Sequence, residues 1–187
     1  MMRLTMSAYW RYQVLNMQEG KILIAENRGV YVLKFIGDVR LTLCSTIDAL
    51  LKKIFGGEDF KSVVIDLTET EGIDSTALGF LAKIAVNTQE VSSRKPTIVS
   101  TREDITRVLS SMGFEHYFCL RDWPLALDYS LEEAPVLDDD CADSIRQKVI
   151  DAHRTLMGLN PQNQEEFEPV VFALENCTLS REVKGVH

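Results

Sequence analysis

The segment from Val63 to Phe80 constrains the fold more than any other part of the chain. Val63, Val64, Ile65, Asp66 and Leu67 form a short β-branched run that reads as a buried strand. The polar residues that follow, Thr68 to Gly72, predict a loop. Asp74, Ser75 and Thr76 then open an apolar-periodic segment that predicts a helix. Ala77, Phe80, Leu81 and Ile84 fall at i, i+3, i+4 and i+7 and give that helix one apolar face. A hydroxyl in a first helical turn is expected to be exposed, beside free backbone N–H groups and at the positive end of the dipole. A phosphate placed there suits the fold and is visible to a partner. Ser75 is therefore a candidate switch residue, against the simpler reading of a plain helix cap.

The rest of the chain alternates in the same way. Residues 22–26 and 30–36 predict two strands, and Asn27, Arg28 and Gly29 between them predict a tight hairpin turn. Gly37 and Asp38 end the second strand. Leu43, Ile47, Leu50, Leu51 and Ile54 repeat at helical spacing, closed by Gly56 and Gly57. Residues 96–100 predict a further strand. Thr101 to Asp104 then predict a capping box, opening a helix through Ile105, Val108 and Leu109 that Gly113 closes. Residues 116–120 predict a last edge strand, and residues 122–131 a weak helix. This order implies an α/β fold, with right-handed crossovers and a sheet with parallel members covered by helices.

Beyond it, Pro135 and the acidic run Asp138, Asp139 and Asp140 predict a linker. Ile145, Val149, Ala152 and Leu156 share one helix face, which Gly158 and Pro161 break. Phe167, Val170, Val171 and Leu174 suggest a second helix, whose start Pro169 leaves open. Two short amphipathic helices bury little alone, so they should pack on the domain, on each other across a dimer, or on a partner. The expected division is an N-terminal segment 1–19, a domain 20–125, a linker 126–142 and a C-terminal helical extension 143–187.

The strand ending in Asp66 and Leu67, followed by Asp74, Ser75, Thr76, Ala77, Leu78 and Gly79, resembles the signature of the STAS family, the anti-sigma factor antagonists. The resemblance covers roughly residues 20–125. It implies the STAS fold, a mixed, mostly parallel sheet with helices, here followed by the C-terminal helical extension. The resemblance also implies phosphorylation of Ser75 and partner binding through Asp74, Thr76 and Gly79 of the motif and through Gly37, Asp38 and Arg40. At that last stretch the family often carries Gly-Glu-Leu-Asp, and Arg40 replaces the final acid; an ordinary solvated strand end is the competing reading. Asp74 reads equally as a cap and as a contact with a kinase's ATP site.

The implied function is an anti-sigma factor antagonist that binds its anti-sigma factor when unphosphorylated and is released by phosphate on Ser75. Implied partners are an anti-sigma factor or serine kinase of the histidine-kinase-like ATPase type and a PP2C-type phosphatase; a homodimer stays open, and no cofactor or metal is implied. The long extension is similar to that of proteobacterial STAS proteins governing motility, biofilm formation or stress sigma factors. The alternative, from another class, is a scaffold or transport-accessory module in a stressosome-like or lipid-transport complex, with Ser75 unmodified.

Charge and composition exclude other classes. A net charge of -8 without any Lys/Arg-rich block argues against direct nucleic-acid binding. No run approaches the roughly 20 apolar residues of a spanning helix, and residues 1–8 lack the apolar run of a signal peptide, so a cytoplasmic protein away from the membrane is expected. Cys44, Cys119, Cys141 and Cys177 are scattered and predict free thiols, the first two buried, rather than a zinc site. There is no G-x-S-x-G elbow, and no motif ties His116, His153 or His187 to Ser75. His153 reads as a polar-face residue or a satisfied interface group, and Trp10 and Trp123 as packing residues. No glycine-rich phosphate loop is present. The chain reads as a binding protein, not an enzyme.

Overall fold

The computed structural model describes residues 20–57, 59–123, 130–137 and 141–176. Strands β1 (Lys21–Asn27) and β2 (Val30–Val39) form the expected antiparallel hairpin. Arg28 and Gly29 supply its turn with φ of 52° and 84°, the left-handed backbone such a turn requires. Strands β3 (Ser62–Ile73), β4 (Thr97–Val99) and β5 (Cys119–Arg121) continue the sheet in parallel from β2, and β6 (Glu132–Glu133) pairs antiparallel with β1. The strand order is β5-β4-β3-β2-β1-β6. Five helices accompany the sheet among the described residues: α1 (Cys44–Phe55), α2 (Ser75–Ser92), α3 (Glu103–Ser111), α4 (Ala142–Met157) and α5 (Pro161–Asn176). The mixed, largely parallel α/β sheet matches the reading from periodicity.

Alternation along β3 sends Val63, Ile65 and Leu67 into the core, where they meet Leu33 and Phe35 of β2 and the apolar faces of α1 and α2. Two boundaries differ from expectation here. The polar stretch after Leu67 is strand rather than loop, because it pairs with the end of β2 as far as Ile73. Thr70 is fully buried and donates its hydroxyl to the Phe35 carbonyl at 3.0 Å, at a shift in the β2–β3 register. Gly37 and Asp38 likewise lie inside β2 rather than ending it; Gly37 takes a φ of 73° beside a second register shift.

The capping box at Thr101 does not form. Arg102 is the N-cap residue of α3 and makes no capping bond from its side chain. It instead grips Asp104 through two bonds of 3.1 and 2.7 Å. Residues 114–116 form a 3-10 turn after the left-handed Gly113, so the edge strand starts later than expected, at Cys119. Phe114 is buried there and stacks on Phe118. Asp122 and Trp123 form a bend and Ser130 and Leu131 are irregular; the remainder of the weak helix expected at 122–131 lies outside the described residues. Trp123 is 53% exposed, with the Arg121 guanidinium over its ring, and is not a core residue; Trp10 lies outside the described residues. Cys44 is buried, Cys119 half-buried and Cys141 exposed, all as free thiols, and Cys177 lies outside the described residues.

Residues 132–137 are held to the domain. Besides β6, Ala134 N donates to the Ile22 carbonyl at 2.9 Å, and the Thr46 hydroxyl accepts from Leu137 N at 3.0 Å. The acidic run at 138–140 lies outside the described residues. Both expected tail helices are present. Pro161 begins α5 at the position where a missing N–H matters least, and the Asn160 side chain caps it by accepting from Asn163 N at 2.8 Å. Pro169 therefore lies inside α5, not at its start. Ala152, Leu156, Leu159 and Phe167 join the same apolar cluster as α1, α2 and the sheet. That contact explains why α2 is buried almost all round: Leu78, Gly79 and Ala82 are as buried as the predicted face.

Candidate functional site

The start of α2 is organised by Asp74. Its backbone is extended, and its Oδ1 accepts from Ala77 N at 2.8 Å, the geometry of an N-cap. The second carboxylate oxygen accepts from Leu41 N at 2.8 Å, while Asp74 N donates to the Val39 carbonyl at 3.1 Å. Asp74 thus ties the helix start to the chain leaving β2. Gly37, Asp38 and Arg40 are drawn to this end of the sheet: Asp38 is buried and Arg40 Nε donates to its carboxylate. A Cβ at Gly72 would fall 2.6 Å from Asp38 Oδ1, so glycine there admits the carboxylate.

With Asp74 as the cap, the Ser75 hydroxyl is not engaged in capping. It is half-buried rather than exposed, and its Oγ lies 3.0 Å from His153 Nε2 on α4. His153 Nδ1 lies 2.8 Å from the Val149 carbonyl. A carbonyl only accepts, so Nδ1 carries a proton; in the neutral ring Nε2 then presents its lone pair and Ser75 donates. The imidazole is 3% exposed and meets the edge of Phe167 with ring centroids 5.5 Å apart. Thr76 is buried. One turn on, a Cβ at Gly79 would lie 2.3 Å from the Ala152 carbonyl oxygen, so this glycine lets α2 and α4 touch through their backbones.

Sequence reasoning missed the Ser75–His153 pair. The available signal was the position of His153 four residues after Val149 and three before Leu156, on the apolar stripe of α4, where a polar ring requires a partner. Nothing in the spacing pointed to a residue 78 positions away. The pair has the atoms of a nucleophile and base. Its imidazole is buried and is oriented by a carbonyl of its own helix rather than by a carboxylate. Glu69 is held by Lys34 at 2.6 Å, with Asp66 at 3.7 Å. Burial acts to lower the Lys34 pKa, but the hydrogen bond and charge of Glu69 and the charge of Asp66 outweigh it and leave the pKa raised. No group of three or more potential metal ligands occurs among the described residues, and no helix there is long and apolar enough to cross a membrane.

A family model described as STAS domain matches residues 21–134. The chain belongs to the STAS domain family. The match runs from the start of β1 to just beyond β6, so it includes the Asp74–Gly79 motif and leaves α4 and α5 outside. Similar solved structures include the anti-sigma factor antagonist SpoIIAA in its unphosphorylated form, 11% identical over 53% of this chain and 86% of that one, with a TM-score of 0.48. An anti-sigma factor antagonist from Mycobacterium paratuberculosis is 18% identical over 56% of this chain and 87% of that one, with a TM-score of 0.47. A comparison with curated proteins finds no match. In this STAS protein the motif serine is therefore covered by a helix from outside the family's own domain.

Proposed function

We propose that this STAS protein is an anti-sigma factor antagonist of a partner-switching system, acting in the cytosol without catalysis of its own. Unphosphorylated, it binds an anti-sigma factor and so frees a sigma factor. A serine kinase of the histidine-kinase-like ATPase type, the anti-sigma factor itself or an associated protein, phosphorylates Ser75, and a PP2C-type phosphatase reverses the step. Regulation of motility, biofilm formation or a stress response is the setting that the extension suggests.

The observation that carries this reading is the division of labour at the start of α2. Asp74 supplies the cap, so the Ser75 hydroxyl is not needed for capping and is bonded to His153 instead. A phosphate on Ser75 adds about -1.5 to -2 of charge at a helix N-terminus, beside the Asp74 carboxylate. An interface formed around a neutral hydroxyl would then hold a desolvated dianion, a large penalty for binding.

The second reading, a STAS scaffold or transport-accessory module with Ser75 unmodified, draws on the Ser75–His153 bond, which gives the hydroxyl a structural role. Purifying the protein from its native cells with phosphatase inhibitors, then mapping phosphate and partners by mass spectrometry, separates the two. Phosphate on Ser75 with a soluble kinase or anti-sigma factor supports partner switching. A membrane transporter and a clean Ser75, or phosphate on Thr76 alone, sinks it.

A further inference from the structure

We infer that α4 is an intramolecular latch over Ser75, and that docking of α4 and phosphorylation of Ser75 oppose each other. The inference rests on the reading of Ser75 as the phosphoacceptor. Within the wider apolar packing of α4 on the domain, two of its contacts with α2 lie one helical turn apart. Ser75 donates to His153 Nε2 at 3.0 Å, and Gly79 meets Ala152 so closely that a single methyl group would collide with the carbonyl.

A phosphoryl group replaces the proton that Ser75 shares with His153. The phosphorus and its oxygens need more room than the 3.0 Å between Oγ and Nε2, and the backbone contact at Gly79 leaves α2 and α4 no slack nearby. Turning the modified serine toward solvent does not preserve the latch. It takes away the donor that His153 Nε2 now has, and a ring that is 3% exposed is then left with a buried, unsatisfied acceptor. Both routes weaken the seating of α4.

The coupling is reciprocal. A modification that loosens α4 is itself hindered while α4 is docked, so a kinase acts on the undocked state, and a partner that holds α4 away from α2 favours the reaction. α5 moves with α4, because Phe167 packs against His153 and Arg154 pairs with Glu175 across the two helices.

The test uses the full chain and needs no kinase. Phosphoserine is installed at position 75 during synthesis, and hydrogen exchange is compared with the unmodified protein. Exchange in α4 and α5 should rise by about tenfold or more while β4 and α3 stay unchanged. In a His153→Ala background the same phosphoserine should change exchange in α4 by less than about twofold, because the contact it breaks is already absent. Unchanged or slower exchange in α4 overturns the latch, as does a uniform rise through the whole sheet or a full effect without His153. The readout separates failure of the latch from failure of the proposed function. If phosphoserine loosens α4 but native protein never carries phosphate at Ser75, the coupling stands and the phosphoacceptor reading falls.

Discussion

Gly79 and Ala152 meet backbone to backbone: a Cβ on Gly79 would lie 2.3 Å from the Ala152 carbonyl oxygen and 2.8 Å from the Ala152 Cβ. Glycine inside a helix is ordinarily a weakness, yet here it sets the distance between α2 and α4. That distance brings His153 within reach of Ser75.

Gly79→Ala should therefore destabilise the protein despite alanine's better helix propensity. The propensity gain is about 1 kcal/mol, while forcing a methyl into a packed backbone contact costs about 1–3 kcal/mol or more. Urea unfolding should show a lower midpoint. A higher midpoint would mean that α4 does not sit on α2 in solution.

Asp74 holds two N–H groups, those of Ala77 and Leu41. Asp74→Ala should lose about 1–2 kcal/mol of stability, the scale of a lost N-cap. Asp74→Asn keeps an acceptor for Ala77 N but turns its NH2 toward Leu41 N, so it should recover only part of that loss. Equal stability of the alanine variant and the parent in a denaturant titration would count against this role.

Ser75→Ala keeps the helix start neutral, whereas Ser75→Glu adds a carboxylate. Under the proposed function the glutamate variant should bind the anti-sigma factor about 2 kcal/mol more weakly than the alanine variant, about 30-fold in affinity. Calorimetry with the partner recovered from native cells measures the difference. Equal affinities would contradict the charge-based account of release.

Asp104 provides a prediction for pH. The hydrogen bond and charge of Arg102 hold its carboxyl down to about 2, below the usual carboxylate range. Because the folded pKa is depressed, any stabilisation from the pair is present above the usual range and is lost as pH falls through about 2. The side chains are largely solvent-exposed, so the effect on global stability should be small. Carbon-detected NMR titration should place the Asp104 midpoint near 2, and Arg102→Ala should return it toward the usual range. A midpoint that ignores the substitution would assign the shift to another cause.

Local periodicity in the chain encodes much of the fold. The hairpin at Arg28 and Gly29, the alternating core positions of β3, the helix after Asp74 and both tail helices all follow from patterns within a few residues. The match of the Asp74–Gly79 motif to the STAS signature was legible for the same reason. Thr68 to Gly72 reads locally as a loop because polar residues carry no local sign of strand; their pairing with β2, including the bond from Thr70 to the Phe35 carbonyl, is supplied by a distant segment. The Arg102–Asp104 pair displaced a capping box that spacing alone favoured. What lies against Ser75 is set by long-range helix packing. Residue types can show that Ser75 begins a helix, but they read His153 as a polar-face residue or an interface group, and the ring is buried; a side-chain hydrogen bond reaches 3.0 Å and is fixed by how two helices pack. That packing depends on one absent methyl group at Gly79 and on a backbone carbonyl at Ala152, which no pattern of side chains records.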